Sequence, residues 1–548
     1  MKEKKTGNTG GREKTVKTNT ADKAFTWKAV LVGVVLSIVV CMYSAYAGLK
    51  AGGVYWPIIT ATIMSFALLR IFGRTNKNEV NVAATAASTG GLLAAGIIFT
   101  VPAIWLLGLN ISVFEVTFIA IVGGLLGVLF TIPLREEMIE RLKLPYPDGT
   151  ATAKVLEAGD EGGKKAKMVF AFFGLAGLFT IIRDYFQAFP SFINLDSLKL
   201  SAARYFSFGS GITLVTFSGG FLIGLKFTAI WFAGAVASYL VVIPLIVSSG
   251  MFADKFAAMT VATKPFGIGV IIGASVIYFL IKGLPAFIPM IKGAWKKERR
   301  SRWWFIVLIV FAALLSVALR LNVIIAIVSI FGAFLVSYIA ARITGEINID
   351  PMEVFAMAIL IIVLLFVQLD PVIAVILAAI LCISAGMAGD FMQDLKAGSL
   401  VGTKPKDQIK AQVISVFSSG IVVGVILIAL DHMYKIGSVN LPAPQAVALS
   451  AIVSSAGISQ YLVWGAILGG IMTLISIYFR QGIAPIAFGI GLYAPIELSF
   501  PLFAGGIIRY FADKKGWTEK GRLIAAGLIG GEGFLGVLLA LLGMFGII

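Results

Sequence analysis

The sequence predicts an all-α, polytopic integral membrane protein with about 14–17 transmembrane or re-entrant helices. Three observations carry that prediction. Of 548 residues 59% are apolar and only 13% charged, with a mean hydropathy of +0.95; a soluble chain of this length needs far more polar surface. Stretches such as Ala29–Gly48, Phe305–Leu319, Phe355–Val367 and Leu523–Ile548 are nearly free of charge, and with their flanks most approach the roughly 20 residues that cross a bilayer as a helix. Basic residues gather in the N-terminal tail and in short links. Alternating segments of about ten residues, the signature of a membrane barrel, are absent.

About 17 apolar segments follow in order, at 25–48, 53–72, 82–108, 112–133, 167–188, 211–227, 228–249, 265–291, 303–319, 321–342, 352–369, 371–388, 411–430, 444–457, 461–479, 482–507 and 522–547. Segment 444–457 is too short for a crossing and 82–108 is rich in Ala, Gly, Ser and Thr, so both are weak candidates for a full span. The polar tail 1–24 precedes a single transmembrane domain, 25–548, with a loop near 134–166. Although Ala29–Val40 followed by Ala45-Tyr46-Ala47 imitates a signal peptide, the polar lead is long, so the first helix is expected to remain. The other hydrophilic interruptions, 189–210, 250–264 and 389–410, are too small to bury a soluble core.

Charge sets the expected orientation. Lys2, Lys4, Lys5, Arg12, Lys14, Lys17 and Lys23 mark a cytoplasmic N-terminus. Simple alternation then brings Arg74 and Lys77, the 134–166 loop, the 292–302 cluster, Lys404/Lys406/Lys410 and Lys514/Lys515/Lys520/Arg522 to the same side. The formal charge of +17 therefore reflects membrane orientation, and no nucleic-acid partner is expected. Nothing matches a GxxxxGK[ST] phosphate loop, which argues against direct ATP drive. The 60 glycines, about 11% against a usual 7% or so, suit close helix packing and, alternatively, helices broken around a cavity.

Several polar residues inside or beside apolar segments invite functional readings. Glu497 lies between Pro495 and Pro501; a carboxylate beside backbone carbonyls freed by a kink or break suits a proton, a cation or a peptide amine, while pairing with a neighbouring helix is the plainer role. Glu532, within Gly530-Gly-Glu-Gly533, fits a structural interhelical bond as well as transport. Asp390, Gln393 and Asp394, with Lys396 nearby, share one helical face and could be either a solvated helix end or a gate. Glu346, Asp350 and Glu353 cluster, and Asp350 followed by Pro351 reads as a helix cap. Arg183 and Asp184 are adjacent, so on a regular helix they point apart; with Tyr185 and Phe186 they read as an interfacial end. Tyr46 and Tyr55, near Gly48, Gly52 and Gly53, could offer hydroxyls to a substrate or sit in an aromatic belt. His432 is the sole histidine, and Cys41 and Cys382 fall in separate apolar segments, so neither a histidine relay nor a bare soft-metal site is expected. No cofactor is implied.

Four ordered stretches add a resemblance. They are Glu79-Val-Asn81-Val-Ala-Ala-Thr85-Ala-Ala-Ser88-Thr-Gly90 with Pro102 beyond; Leu144-Pro-Tyr-Pro-Asp-Gly149-Thr-Ala151; Ala388-Gly-Asp390-Phe-Met-Gln393-Asp394-Leu-Lys396; and Ala494-Pro-Ile-Glu497-Leu-Ser-Phe-Pro501. Together they resemble the oligopeptide transporter family, whose relatives include yellow-stripe-like carriers of metal chelates. Val80 and Ala84 stand where that family usually has polar residues. The resemblance implies an ion-coupled carrier in the cytoplasmic membrane, usually proton-coupled, importing small peptides or peptide-like conjugates; a carrier of metal chelates is the alternative. Its path would draw on Glu79, Asn81, Thr85, Ser88 and the carboxylates above. An intramembrane aspartyl protease is remote, since Met387 stands where its GxGD needs glycine.

Overall fold

The computed structural model describes residues 23–53, 58–158, 162–194, 206–285, 302–348, 350–454, 459–479 and 484–547. Nineteen helices follow in order: α1 Trp27–Ala51, α2 Ile58–Ile71, α3 Lys77–Leu106, α4 Val113–Arg141, α5 Pro147–Ala158, α6 Lys165–Tyr185, α7 Leu214–Ile223, α8 Leu225–Ser248, α9 Lys255–Gly283, α10 Ile306–Ala318, α11 Val323–Glu346, α12 Met352–Leu364, α13 Pro371–Val401, α14 Pro405–Tyr434, α15 Pro444–Val453, α16 Gln460–Tyr478, α17 Ala484–Tyr493, α18 Ile496–Lys514 and α19 Thr518–Met544. A two-stranded antiparallel hairpin, β1 Phe192–Asn194 with β2 Gly209–Gly211, lies between α6 and α7. Among the described residues eleven helices are long and apolar enough to cross a membrane, and six more are apolar but only 10–17 residues long. The protein is a polytopic all-α membrane protein. Its outer surface agrees: Ile309, Val317, Ile327, Phe331, Trp464 and Tyr478 face outward, while Ser37, Thr85, Thr131, Ser337, Ser384 and Ser419 of the helices are buried, as hydrocarbon around a bundle requires.

Local chemistry starts and stops the spans. Ser112 and Glu115 form a capping box at the start of α4. Asp370 accepts from the Val372 and Ile373 amides, with Pro371 in the first turn of α13. Gly52, at φ 66°, ends α1 in the left-handed conformation that glycine adopts freely. Helix contacts are close: a side chain on Gly90 of α3 would run into the Ser37 carbonyl of α1. The innermost helices are α3 and α13, nearly wholly buried, and α13 packs against α3, α4, α5, α11 and α12.

Basic links meet at one end of the bundle. Lys28 donates to the Phe72 carbonyl, Thr403 bonds both Asn78 and Asn81, Lys410 lies over the Phe25 ring, and Lys165 pairs with Glu519. The starts of α1, α3, α6, α14 and α19 therefore share that end.

The structure departs from the sequence expectations in four places. Segment 82–108, unusually rich in small residues, belongs to a full-length helix, because those residues let α1 and α13 close around it. The interruption at 389–410 is mostly the last part of α13, residues 389–401, most of them buried. The apolar run 482–507 is divided, with α17 ending at Tyr493 and α18 starting at Ile496; Pro495 has no amide hydrogen to continue a helix, whereas Pro501 stays helical in α18. Asp350 does not cap α12: it approaches the Met352 amide without forming a hydrogen bond of regular geometry.

Candidate functional site

A buried ion cluster joins α1, α6, α7 and α19. Gly531 and Gly533 let α19 touch the backbones of α6 and α1, which delivers Glu532 between them with no exposure to solvent. Its Oε1 accepts from Arg183 Nη1 at 2.9 Å, Thr213 Oγ1 at 2.9 Å and Lys50 Nζ at 3.3 Å. Its Oε2 accepts from the Leu214 and Val215 amides at 2.6 and 2.9 Å, so the carboxylate also sits at the N-terminus of α7. Arg183 turns its other nitrogens onto Asp184, Nε to Oδ1 at 2.6 Å and Nη2 to Oδ2 at 2.8 Å. These two residues therefore pair rather than point apart, and Arg183 is buried rather than interfacial. Residues 181–185 form a wider π-helical turn, which changes the direction of neighbouring side chains. Two cations face two carboxylates, and Lys50 also donates to Tyr46 Oη at 2.7 Å. Charge balance and hydrogen bonding make this cluster a clamp that holds four helices.

A second polar seam runs between α3, α13 and α14 toward the basic end. Ser88 donates to Asp394 Oδ2 at 2.7 Å, Thr89 to Gln412 Oε1 at 2.9 Å, and Gln408 Nε2 to Thr85 Oγ1 at 3.0 Å. Asn81 reaches Thr403 at 3.1 Å. Asp390, Gln393 and Asp394 are all buried on the face of α13 that their spacing predicts, so a solvated helix end is excluded. Gln393 accepts from the Gly149 amide at 2.9 Å and donates to Asn348 at 2.7 Å; Lys396 donates to the Leu144 carbonyl at 3.0 Å. The 144–151 segment thus closes over the seam. Asp350 enters from the α11–α12 turn, its Oδ2 filling the space a side chain on Gly389 would need, beside the Asp390 charge. Neither Asp350 oxygen, nor Asp394 Oδ1, has a hydrogen-bond partner of regular geometry among the described residues.

Helix breaks meet in a third region. The end of α1, the start of α15, the α17–α18 break and the starts of α7 and α12 surround two small cavities. One, of ≈ 20 Å³, is lined by Glu353, Ser275, Met357, Gln445, Ile490 and Tyr493 among others. The other, of ≈ 10 Å³, is lined by Lys50, Thr216, Trp231, Pro444, Ala494 and Leu498 among others. Neither has room for more than about one or two water molecules.

The other residues singled out from sequence lie apart. Glu79, at the basic end, accepts from Thr26 at 2.5 Å and Thr75 at 2.7 Å and ties the starts of α1 and α3. Glu346 is exposed and pairs with Arg342 at 3.1 Å. Glu497 packs beneath Gly209 of β2 and beside Tyr239. Tyr46 belongs to the ion cluster, and Tyr55 lies outside the described residues. Sequence reasoning missed Lys50, Thr213, Gln408, Gln412, Gln445 and Tyr493. The signal for Lys50 was a single cation closing an apolar run beside Gly52-Gly53.

The sequence profile of the OPT oligopeptide transporter protein family matches residues 24–543. The chain belongs to that family. It is also 28% identical, over an alignment of 585 positions covering 90% of this chain and 92% of the relative, to a Haemophilus influenzae protein assigned by name to oligopeptide transport. A Saccharomyces cerevisiae protein assigned by name to the same activity is 29% identical over 178 residues, 28% of this chain and 24% of the relative. In this OPT-family chain three of the four motif stretches converge. The first three supply α3, the 144–151 closure and α13 around the aspartate seam, and the fourth forms the α17–α18 break beside the cavities.

Proposed function

We propose that this OPT-family protein is a secondary carrier that imports small oligopeptides or peptide-like conjugates across the cytoplasmic membrane. Protons drive it, and the N-terminus and the basic end face the cytoplasm. It moves its cargo without chemical change. The carrying observation is the set of buried carboxylates at Asp350, Asp390 and Asp394, with oxygens of Asp350 and Asp394 that have no hydrogen bond of regular geometry among the described residues. An ionised carboxylate so placed costs several kcal/mol, and protonation removes that cost. Proton binding and release there therefore couples to rearrangement of the α11–α12 turn. Carboxylates carry the proton because His432 is exposed at the end of α14, away from the seam. Glu497 and Glu532 serve the same path from its other side, Glu532 by fixing the helices and Glu497 from the α17–α18 break.

Purified protein in liposomes, given a labelled tripeptide under an acid-outside gradient, tests this reading. Accumulation above the level reached without a gradient is expected, together with its loss in Asp394→Asn while exchange of internal for external peptide continues. An absence of gradient stimulation with any peptide overturns peptide–proton coupling. Stimulated uptake of an iron–chelate but not of peptide replaces the cargo.

A further inference from the structure

The two cavities share a wall, and each is lined by one charged side chain, Glu353 in one and Lys50 in the other. Consecutive residues divide their faces: Pro444 lines one cavity and Gln445 the other, and likewise Ala494 and Tyr493. A single hydrogen bond, Tyr493 Oη to the Pro444 carbonyl at 2.6 Å, closes the wall. Gln445 also donates to the Gly52 carbonyl, and the Ala443 amide donates to the Leu49 carbonyl at 2.8 Å. Ala443 itself is held at φ 46°, ψ 57°, a left-handed conformation that a residue with a Cβ adopts at a cost and that surrounding structure must impose. The wall is therefore made of helix ends and a strained residue rather than of continuous helix.

We infer that the two cavities are the separated halves of one substrate site that reads both ends of a zwitterion. Lys50 receives the substrate carboxylate, and Glu353 receives its α-amino group. The proposal rests on the peptide reading above and deepens it. An ammonium has three donors. Lys50 spends two, on Tyr46 and Glu532, and the third is free to point into its cavity. Among the described residues the Glu353 carboxylate has no side-chain partner, its one polar contact being its own amide. Between these poles the lining is apolar and aromatic, with Ile271, Met357, Ile490, Trp231 and Leu498 available to side chains of varied shape. Opening the Tyr493–Pro444 bond and moving the α15 start away from the α17–α18 break merges the halves. Occupancy by substrate replaces the wall's internal hydrogen bonds with bonds to the peptide backbone.

The test compares tri-alanine with its N-acetyl and C-amide forms, as cargo in liposomes and as stabiliser of the purified protein against thermal unfolding. Wild type is expected to prefer the free peptide over each capped form by at least about tenfold, since each cap removes a charge-assisted bond in a buried site. Glu353→Gln is expected to bring the free-to-acetylated ratio close to one while keeping discrimination against the amide. Lys50→Gln is expected to do the converse. Equal use of all three peptides by wild type, which needs no variant to fold, overturns the inference, as does full discrimination against the acetyl form in Glu353→Gln. Thermal stabilisation by the free tripeptide alone, without gradient-driven uptake, upholds end recognition while overturning proton-coupled transport.

Discussion

Asp350 and Glu353 stand one turn apart at the start of α12, the first turned onto Gly389 and Asp390 of α13 and the second lining a cavity beside Gln445 and Tyr493. One short, broken segment thus carries a carboxylate of the aspartate seam and a carboxylate that lines a cavity. Any tilt of α12 moves both together. A turn with a left-handed residue on one side, Asn348 at φ 61°, and Pro351 on the other is a place where such a tilt can be absorbed.

That arrangement predicts a division of labour. Asp350→Asn removes the carboxylate facing Asp390 and leaves the cavity lining intact. Concentrative uptake should fall to the gradient-free level, while the half-saturating peptide concentration in exchange stays within about twofold of wild type. Glu353→Gln should show the opposite pattern, with weaker peptide binding and retained response to the gradient. Parallel losses in both variants would separate α12 from coupling.

The Glu532 cluster predicts a stability effect. Glu532→Gln leaves Arg183 and Lys50 buried with one partner charge between them, and breaking a buried pair costs about 3–5 kcal/mol. The variant should unfold at a clearly lower temperature in detergent. A melting temperature equal to wild type would show that the Glu532 charge does not hold these helices together.

Tyr493→Phe keeps the ring and deletes the hydroxyl that closes the wall between the cavities. A net hydrogen bond of about 0.5–1.5 kcal/mol corresponds to roughly a two- to tenfold faster opening step. Exchange of labelled peptide across liposomes should accelerate by that factor where opening limits the cycle. Slower exchange would mean that the hydroxyl serves the substrate rather than the wall.

Much of the fold was legible because a helix in lipid must satisfy its own backbone and show apolar residues outward, so hydropathy alone marked the 17 apolar segments. The face shared by Asp390, Gln393 and Asp394 was legible from spacing. Their burial was not, since it depends on the 144–151 segment folding back over α13, a contact between residues some 240 positions apart. The Arg183–Asp184 pair was hidden by a π-helical turn that no local pattern announces. Lys50 was hidden because a cation at the end of an apolar run ordinarily reaches for the membrane boundary; only the position of α19 shows that it turns inward. The cavities depend on several helix ends meeting, a tertiary fact with no local signature.

Gly90 supplies a packing test. A methyl group there would occupy the position of the Ser37 carbonyl, and overpacking of a tight helix contact costs about 1–3 kcal/mol. Gly90→Ala should lower the yield of folded protein and the melting temperature, and Gly174→Ala in α6, whose added carbon meets nothing within 4 Å, should be milder. Equal behaviour of the two would remove the α1–α3 contact as a determinant of stability.

Asp148 predicts a pH dependence at the closure over the seam. It lies in the first turn of α5, and its amide donates to Asn348 Oδ1 at 3.2 Å. Burial raises its carboxyl above the usual range, against the lowering influence of Asn348 and Arg522. A carboxyl raised in the folded state binds more protons there than when unfolded, so folding stability falls as pH rises through that window. The favourable contribution is complete below the ordinary carboxylate value near 4 and is lost as pH climbs through the raised one. Amide exchange in 147–158 should therefore be slower under mildly acidic conditions than expected from its intrinsic pH dependence. Asp148→Asn should remove that excess protection and hold α5 equally tightly at neutral pH. The same excess in the variant would assign the pH response to another group.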